Sequence, residues 1–180
     1  MEDFDIKVIV AVIAVFVSFI GLIITKEQKT SEFRQKWIDE IRSDIASLMG
    51  CLSEFSTNWL VLGNQEYIEA RKKFLTDNIS LINEIHVLFY RIELRLNPNK
   101  DEKLIQVLKD IGSMIKSPNK MNQDSMFNDL TEKLNLQSHD MLKKEWDRVK
   151  NGEPFFVAVK YLLGIVTAVF ILKYIAIGIA

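Results

Sequence analysis

Eighteen consecutive uncharged residues, VIVAVIAVFVSFIGLIIT at residues 8–25, constrain this chain more than any other feature. At about 1.5 Å rise per residue, such a helix crosses most of a ~30 Å hydrocarbon core. A cleaved signal peptide would carry a basic leader and a small-x-small cleavage site. Here Glu2, Asp3 and Asp5 come first and a charged helical pattern follows directly, so the segment reads as an uncleaved span. A second apolar stretch occupies residues 154–179, where the only charges are Lys160 and Lys173, near its edges. Their stems can snorkel to the headgroups, and Tyr161 and Tyr174 accompany them as interfacial anchors.

Charged residues make up 26% of the chain, yet nearly all of them lie between these two stretches. The predicted organisation is an external tail at residues 1–7, a span at 8–25, an all-α soluble domain at 26–153 and a second span at 154–179. Lys26, Lys29, Arg34 and Lys36 follow the first span, and Lys143, Lys144, Arg148 and Lys150 precede the second. The positive-inside rule then places the charged domain in the cytoplasm and both termini outside, with Lys173 as a weak counter-signal. A formal net charge of -1 argues against a generally basic nucleic-acid binder. A lone cysteine, Cys51, has no intramolecular disulfide partner and reads as a small core residue.

Ala11, Ala14, Ser18, Gly21 and Thr25 recur at spacings of three and four and form one stripe on the first span. Gly164 and Ala168 form a small-xxx-small pair on the second. Small residues let helix backbones approach closely in lipid, so these positions are a candidate packing seam, either between the two spans of one subunit or between subunits.

Within the charged domain, Ile38, Ile41, Ile45, Leu48, Leu52, Phe55, Trp59 and Leu62 hold a heptad-like alternation that predicts a long one-faced helix. Gly63 and Asn64 end it, and a second helix runs to about Leu96 with apolar columns at Ile68, Leu75, Ile82, Phe89 and Leu96, and at Tyr67, Phe74, Leu81 and Leu88. A shorter helix carries Leu104, Val107, Leu108, Ile111 and Ile115. A fourth spans residues 124–150 through Phe127, Leu130, Leu134, Met141, Leu142, Trp146 and Val149. The result is a bundle of about four helices. Continuing its outer helices into the spans would set Trp37 and Trp146 at similar heights, close together in the core beside the membrane.

Three strings then stand out: SEFRQKWIDEIR at residues 31–42, IELRLNPNKDE at 92–102 and LKKEWDRVKNGE at 142–153. Together and in this order they resemble a family of small bacterial membrane proteins with an N-terminal anchor followed by SEFRQxWI, IELxLNP and LKxEWxRVKxGE. The resemblance implies a helical protein of the bacterial inner membrane and no particular activity. Members of that family usually carry a histidine shortly after the LNP turn; here no histidine follows until His139. In architecture the chain is also similar to membrane effectors of anti-phage systems, including DNA-gated channel effectors of the Hailong type. That likeness implies a cytoplasmic domain controlling a pore.

No HExxH, CxxC, GxSxG, Walker A or GxGxxG string occurs, so no enzyme activity, metal or cofactor is expected. His86 reads as a partly buried structural residue, and the His139–Asp140 pair as a solvated one. Asp39, Glu40 and Asp44 are assigned to the solvated side of the first helix. Arg71, Lys72, Lys73, Arg91 and Arg95 could form a polyanion-binding patch, although neighbouring carboxylates offset its field. Arg34, Trp37, Trp146 and Arg148 are expected to build a membrane-proximal scaffold. Two functions fit these features: a homo-oligomeric membrane effector gated by its cytoplasmic bundle, or a tethered scaffold that binds a soluble partner. The expected partners are the bilayer, further copies of the chain, and a soluble protein or an oligonucleotide.

Overall fold

The structure, a computed structural model, describes the backbone of residues 2–61, 67–116, 124–152 and 154–179. Side chains are described over residues 14–60, 69, 72–116, 126–152 and 156–169. Every regular element in these segments is an α-helix: α1 (Glu2–Val61), α2 (Tyr67–Asp77), α3 (Ile79–Glu93), α4 (Glu102–Lys116), α5 (Asp124–Asn151) and α6 (Pro154–Ile179). The helices divide into two compact units. One comprises Met1–Lys36 and Glu145–Ala180, and the other Trp37–Lys144. Both α1 and α5 contribute residues to each unit.

The unit Trp37–Lys144 is a helical bundle with one core. Its periodicity follows the sequence closely. Ile38, Ile41, Leu48 and Leu52 are fully buried on α1, with Ile45 and Phe55 nearly so. All five apolar positions expected on α4 are buried, joined by Met114. On α5 the buried line runs through Phe127, Leu130, Leu134, Ser138 and Met141. Phe74 anchors α2 against α1, with ring centroids 5.2 Å from Phe55 and 5.0 Å from Trp59, both edge-on. Edge-to-face geometry sets the electropositive ring edge against the electronegative face.

The single helix expected from residue 64 to about Leu96 is broken at Asn78, which separates α2 from α3. The backbone bonds across the break persist: Asn78 N–H donates to the Phe74 carbonyl and Ile82 N–H to the Asn78 carbonyl, each at 3.0 Å. The Asn78 side-chain amide also donates to the Phe74 carbonyl at 3.0 Å, while its oxygen accepts from Asn58 on α1 at 2.8 Å. An asparagine that bonds to its own preceding turn competes with regular helix, and the tie to Asn58 holds that conformation in place. The expected column of Phe74, Leu81 and Leu88 stays buried across the break. Ile85 and Ile92 are fully buried although neither stands in the columns read from the sequence, whereas Leu75, Ile82 and Phe89 are only partly buried.

The α3–α4 connection is a capped turn. Asn97 N–H donates to the Asp101 carboxylate at 2.8 Å, Asn99 N–H to the Asn97 side-chain oxygen at 3.0 Å, and Asp101 N–H back to the Asn97 carbonyl at 2.8 Å. Leu96 is buried beneath it. The LNPNKD stretch therefore stops one helix and starts the next with its backbone donors satisfied.

Candidate functional site

The unit Met1–Lys36 with Glu145–Ala180 inverts the burial pattern of the bundle. Val15, Val17, Phe19 and Leu22 on α1 are more than half exposed, as are Tyr161, Leu162, Ile165 and Val169 on α6. Isolated exposed apolar side chains are ordinary, but two long helices covered with them make a surface unsuited to water. The hydroxyls on these helices bond to their own backbone. Ser18 donates to the Ala14 carbonyl, Thr25 to Gly21 and Thr167 to Leu163, each at 2.8 Å. Such self-satisfaction is what a helix needs where no water is present to accept a proton. Among the described residues, one helical stretch, Met126–Val169, contains a window long and apolar enough to cross a membrane, and none of that window is buried. The segment at residues 8–25 has described side chains only from Ala14 onward.

Inside this unit α1 and α6 enclose a cleft of about 640 Å³, lined on α1 by Phe19, Leu22, Ile23, Lys26, Glu27 and Thr30. Phe156 and Val159 line it from α6. Those α1 positions fall on one helical face. At 100° per residue, the stripe of Ala14, Ser18, Gly21 and Thr25 lies about 140° round the helix from that face. Gly164 and Ala168 lie about 130° from Phe156 and Val159 on α6 by the same measure. A Cβ added at Gly21 or at Gly164 would meet nothing within 4 Å. The small residues are thus not the surfaces that line the α1–α6 cleft. The side chain of Ala11 lies outside the described residues, as do those of Lys173 and Tyr174; Lys160 and Tyr161 are exposed on α6.

Below the apolar faces sits a charged collar. Arg34 Nε lies 3.3 Å from Glu145, and Arg148 donates to the other oxygen of the same carboxylate at 2.9 Å. All three side chains are partly shielded, with Arg34 and Glu145 at 18% and 20% exposure. This joins the first and third of the strings singled out in the sequence. Gly152, in the third string, takes φ +78°, and a Cβ there would come within 3.1 Å of Glu27 Oε1. Both the positive φ and the close approach favour glycine at the α5–α6 corner.

Of the four expected scaffold residues, Arg34 and Arg148 meet on Glu145. Trp37 packs against the bundle core, and Trp146 belongs to the other unit, where it is 46% exposed rather than buried. Position 146 falls about 140° round α5 from Met141, so the inward face there passes to Glu145 and Arg148.

In the bundle, Asp44 stands with the apolar residues of α1 and not on its solvated side: its residue exposure is 3%. Arg91 reaches it at 2.7 Å and Arg95 pairs with its other oxygen, while Arg95 also lies 3.2 Å from Glu40. A buried carboxylate needs such partners, and two guanidiniums from α3 and its C-terminal turn supply them. Two members of the expected polyanion patch are therefore engaged internally. Lys72 and Lys73 stand exposed on α2, and the side chain of Arg71 lies outside the described residues. Asp39, by contrast, is exposed and pairs with Arg42 at 3.2 Å.

His139 is exposed and Asp140 pairs with Lys144 at 2.6 Å, so that pair faces solvent. His86 lines a shallow cleft with Phe89, Tyr90, Lys109 and Lys116, and its Nε2 is buried without a hydrogen-bond partner. Among the described residues no three His, Cys, Asp or Glu side chains gather to hold a metal ion. Burial pushes the Cys51 thiol above its ordinary pKa, helped by the Glu84 and Glu54 carboxylates. No protein-family model, curated protein or solved structure matches the chain.

Of the two carboxylates that gather the arginines, sequence reasoning assigned Asp44 to the solvated side of its helix and did not single out Glu145. A signal existed for the first: Asp44 stands three residues after Ile41 and four before Leu48, inside the apolar alternation.

Proposed function

We propose that the chain is an inner-membrane protein with two spans, residues 8–25 and 154–179, whose copies associate through the small-residue faces of α1 and α6. The observation that carries this reading is the position of those faces: they lie well round each helix from the α1–α6 cleft, and nothing approaches Gly21 or Gly164. In lipid, where hydrophobicity gives helices no drive to associate, such faces are the surfaces on which backbones pack closely. The charged bundle is cytoplasmic and acts as the control element, in keeping with the resemblance to channel effectors of defence systems. Two spans per subunit cannot enclose a water path, so roughly four or more subunits surround the pore. The inner surface is nearly all apolar, so it closes by dewetting and opens by widening. No catalytic step is assigned.

Depolarisation of cells on induced expression tests this function. The wild type is expected to depolarise them, and Gly21→Leu and Ala14→Leu to abolish the effect while leaving the protein in the membrane fraction. Depolarisation unchanged by both substitutions would overturn the seam.

A second reading, a tethered scaffold, has one observation in its favour. Ile79, Val87, Tyr90 and Leu94 lie within about 80° of one another around α3 and its C-terminal turn, and each is more than half exposed. An apolar face of this kind suits a soluble partner. Replacing both spans with unrelated apolar helices would preserve activity under this reading and destroy it under the first.

A further inference from the structure

The cleft between α1 and α6 changes character along its length. Phe19, Leu22 and Ile23 line one end from α1, and Lys26, Glu27 and Thr30 line the other. From Phe19 to Thr30 the helix rises about 16 Å. The first turns of α6 close the side with Phe156 and Val159. The volume of about 640 Å³ falls within the roughly 300–1,000 Å³ of small-ligand sites. At the polar end, the Thr30 hydroxyl is already bonded to the Lys26 carbonyl at 2.9 Å, which leaves the Lys26 ammonium as the donor facing an incoming group. No ion pair involves Lys26 among the described residues.

We infer that this cleft binds one phospholipid per subunit, with an acyl chain along Phe19, Leu22 and Phe156 and the headgroup phosphate against Lys26. The inference rests on the two-span reading and adds a ligand to it. An apolar trough whose polar end carries the Lys26 ammonium beside the Glu27 carboxylate matches an amphiphile whose hydrocarbon leads to a phosphate-bearing headgroup, and it matches neither a uniformly apolar helix nor a free anion. The cleft also lies on the face of α1 turned away from the small-residue stripe, so subunits joined through that stripe leave it open to the bilayer. A lipid wedged there sets the spacing of α1 and α6 just where Gly152 turns the chain into α6.

The full-length protein, purified in mild detergent and titrated with dioleoyl phosphatidylglycerol, tests this by native mass spectrometry. The expected result is a saturable adduct of one lipid per subunit. Lys26→Glu should weaken it at least tenfold, Leu22→Trp should remove it by filling the trough, and Lys29→Glu, which does not line the cleft, should leave it unchanged. Competition by glycerophosphoglycerol, which has the phosphate without the chains, would reassign the site to a free anion and overturn the proposal. So would equal adducts in wild type and both cleft variants. Dissociation of the particle by Leu22→Trp with lipid adducts intact would give the cleft to a second copy. Failure of the two-span reading is seen separately, as loss of the wild type from the membrane fraction.

Discussion

Leucine, isoleucine and phenylalanine have opposite fates in the two units. In the bundle, Ile41, Leu48, Leu52 and Phe55 are buried to within 1%. In the other unit, Leu22, Ile165 and Phe19 are 69%, 63% and 56% exposed. Burial in the bundle is what the hydrophobic effect produces in water. Exposure over two long helices is the arrangement that lipid tolerates, because the solvent there is itself apolar. On the proposed two-span reading, the chain carries two solutions to the same constraint, one for each surrounding medium.

The comparison is broken most directly by truncating matched leucines. Leu52→Ala in the bundle should cost about 2–5 kcal/mol, since it leaves a cavity in a packed core. Leu22→Ala should cost less than about 0.5 kcal/mol, because little of the side chain is enclosed. Denaturant unfolding in detergent measures both, and similar losses would mean that the units are packed alike.

Charge insertion reverses the order. Ile165→Asp should disfavour membrane insertion by about 2.5–3.5 kcal/mol, read as a fall in the integrated fraction. Leu94→Asp, at a position 87% exposed on the bundle, should shift stability by no more than about 0.5 kcal/mol. Equal tolerance of the two would remove the distinction between the media.

The ion pairs sharpen the contrast within the bundle. Arg95→Ala leaves the buried Asp44 with Arg91 alone and should cost about 2 kcal/mol. Asp44→Ala should cost less, because Arg91 and Arg95 are 54% and 25% exposed and their guanidiniums can turn to water. Thermal unfolding of the two variants side by side tests this ordering.

The smallest effect concerns Cys51. Its thiol pKa is raised in the folded state, so its contribution to stability is complete below the ordinary thiol value near 9.0 and is lost as pH rises through the raised one. Wild type should therefore lose stability relative to Cys51→Ser above that pH and match its pH dependence below it. Alkylation of the native thiol at pH 8 should be slower than that of an unfolded control, because less thiolate is present.

The all-helical class and most of the core were legible in the sequence, because a period of 3.6 on α1, α4 and α5 directly encodes a buried face. Three features were less so. The break at Asn78 depends on a partner twenty residues away, Asn58, that no local pattern indicates. Ile85 and Ile92 join Leu81 and Leu88 in the core, although neither stands in the columns read from the sequence. Arg91 and Arg95 look like a surface patch until α1 brings Asp44 beneath them. At the apolar unit, periodicity located the small-residue stripe but not which face of α1 meets α6, because α1 there is apolar on every side and only packing distinguishes one face from another.

Alkaline carbonate extraction of membranes from cells expressing the full chain tests the central claim most directly. If the apolar faces of α1 and α6 lie in lipid, the protein stays in the pellet and leaves it only with detergent. Release into the aqueous supernatant as a monodisperse protein would contradict the account, since those faces would then have to be covered by protein.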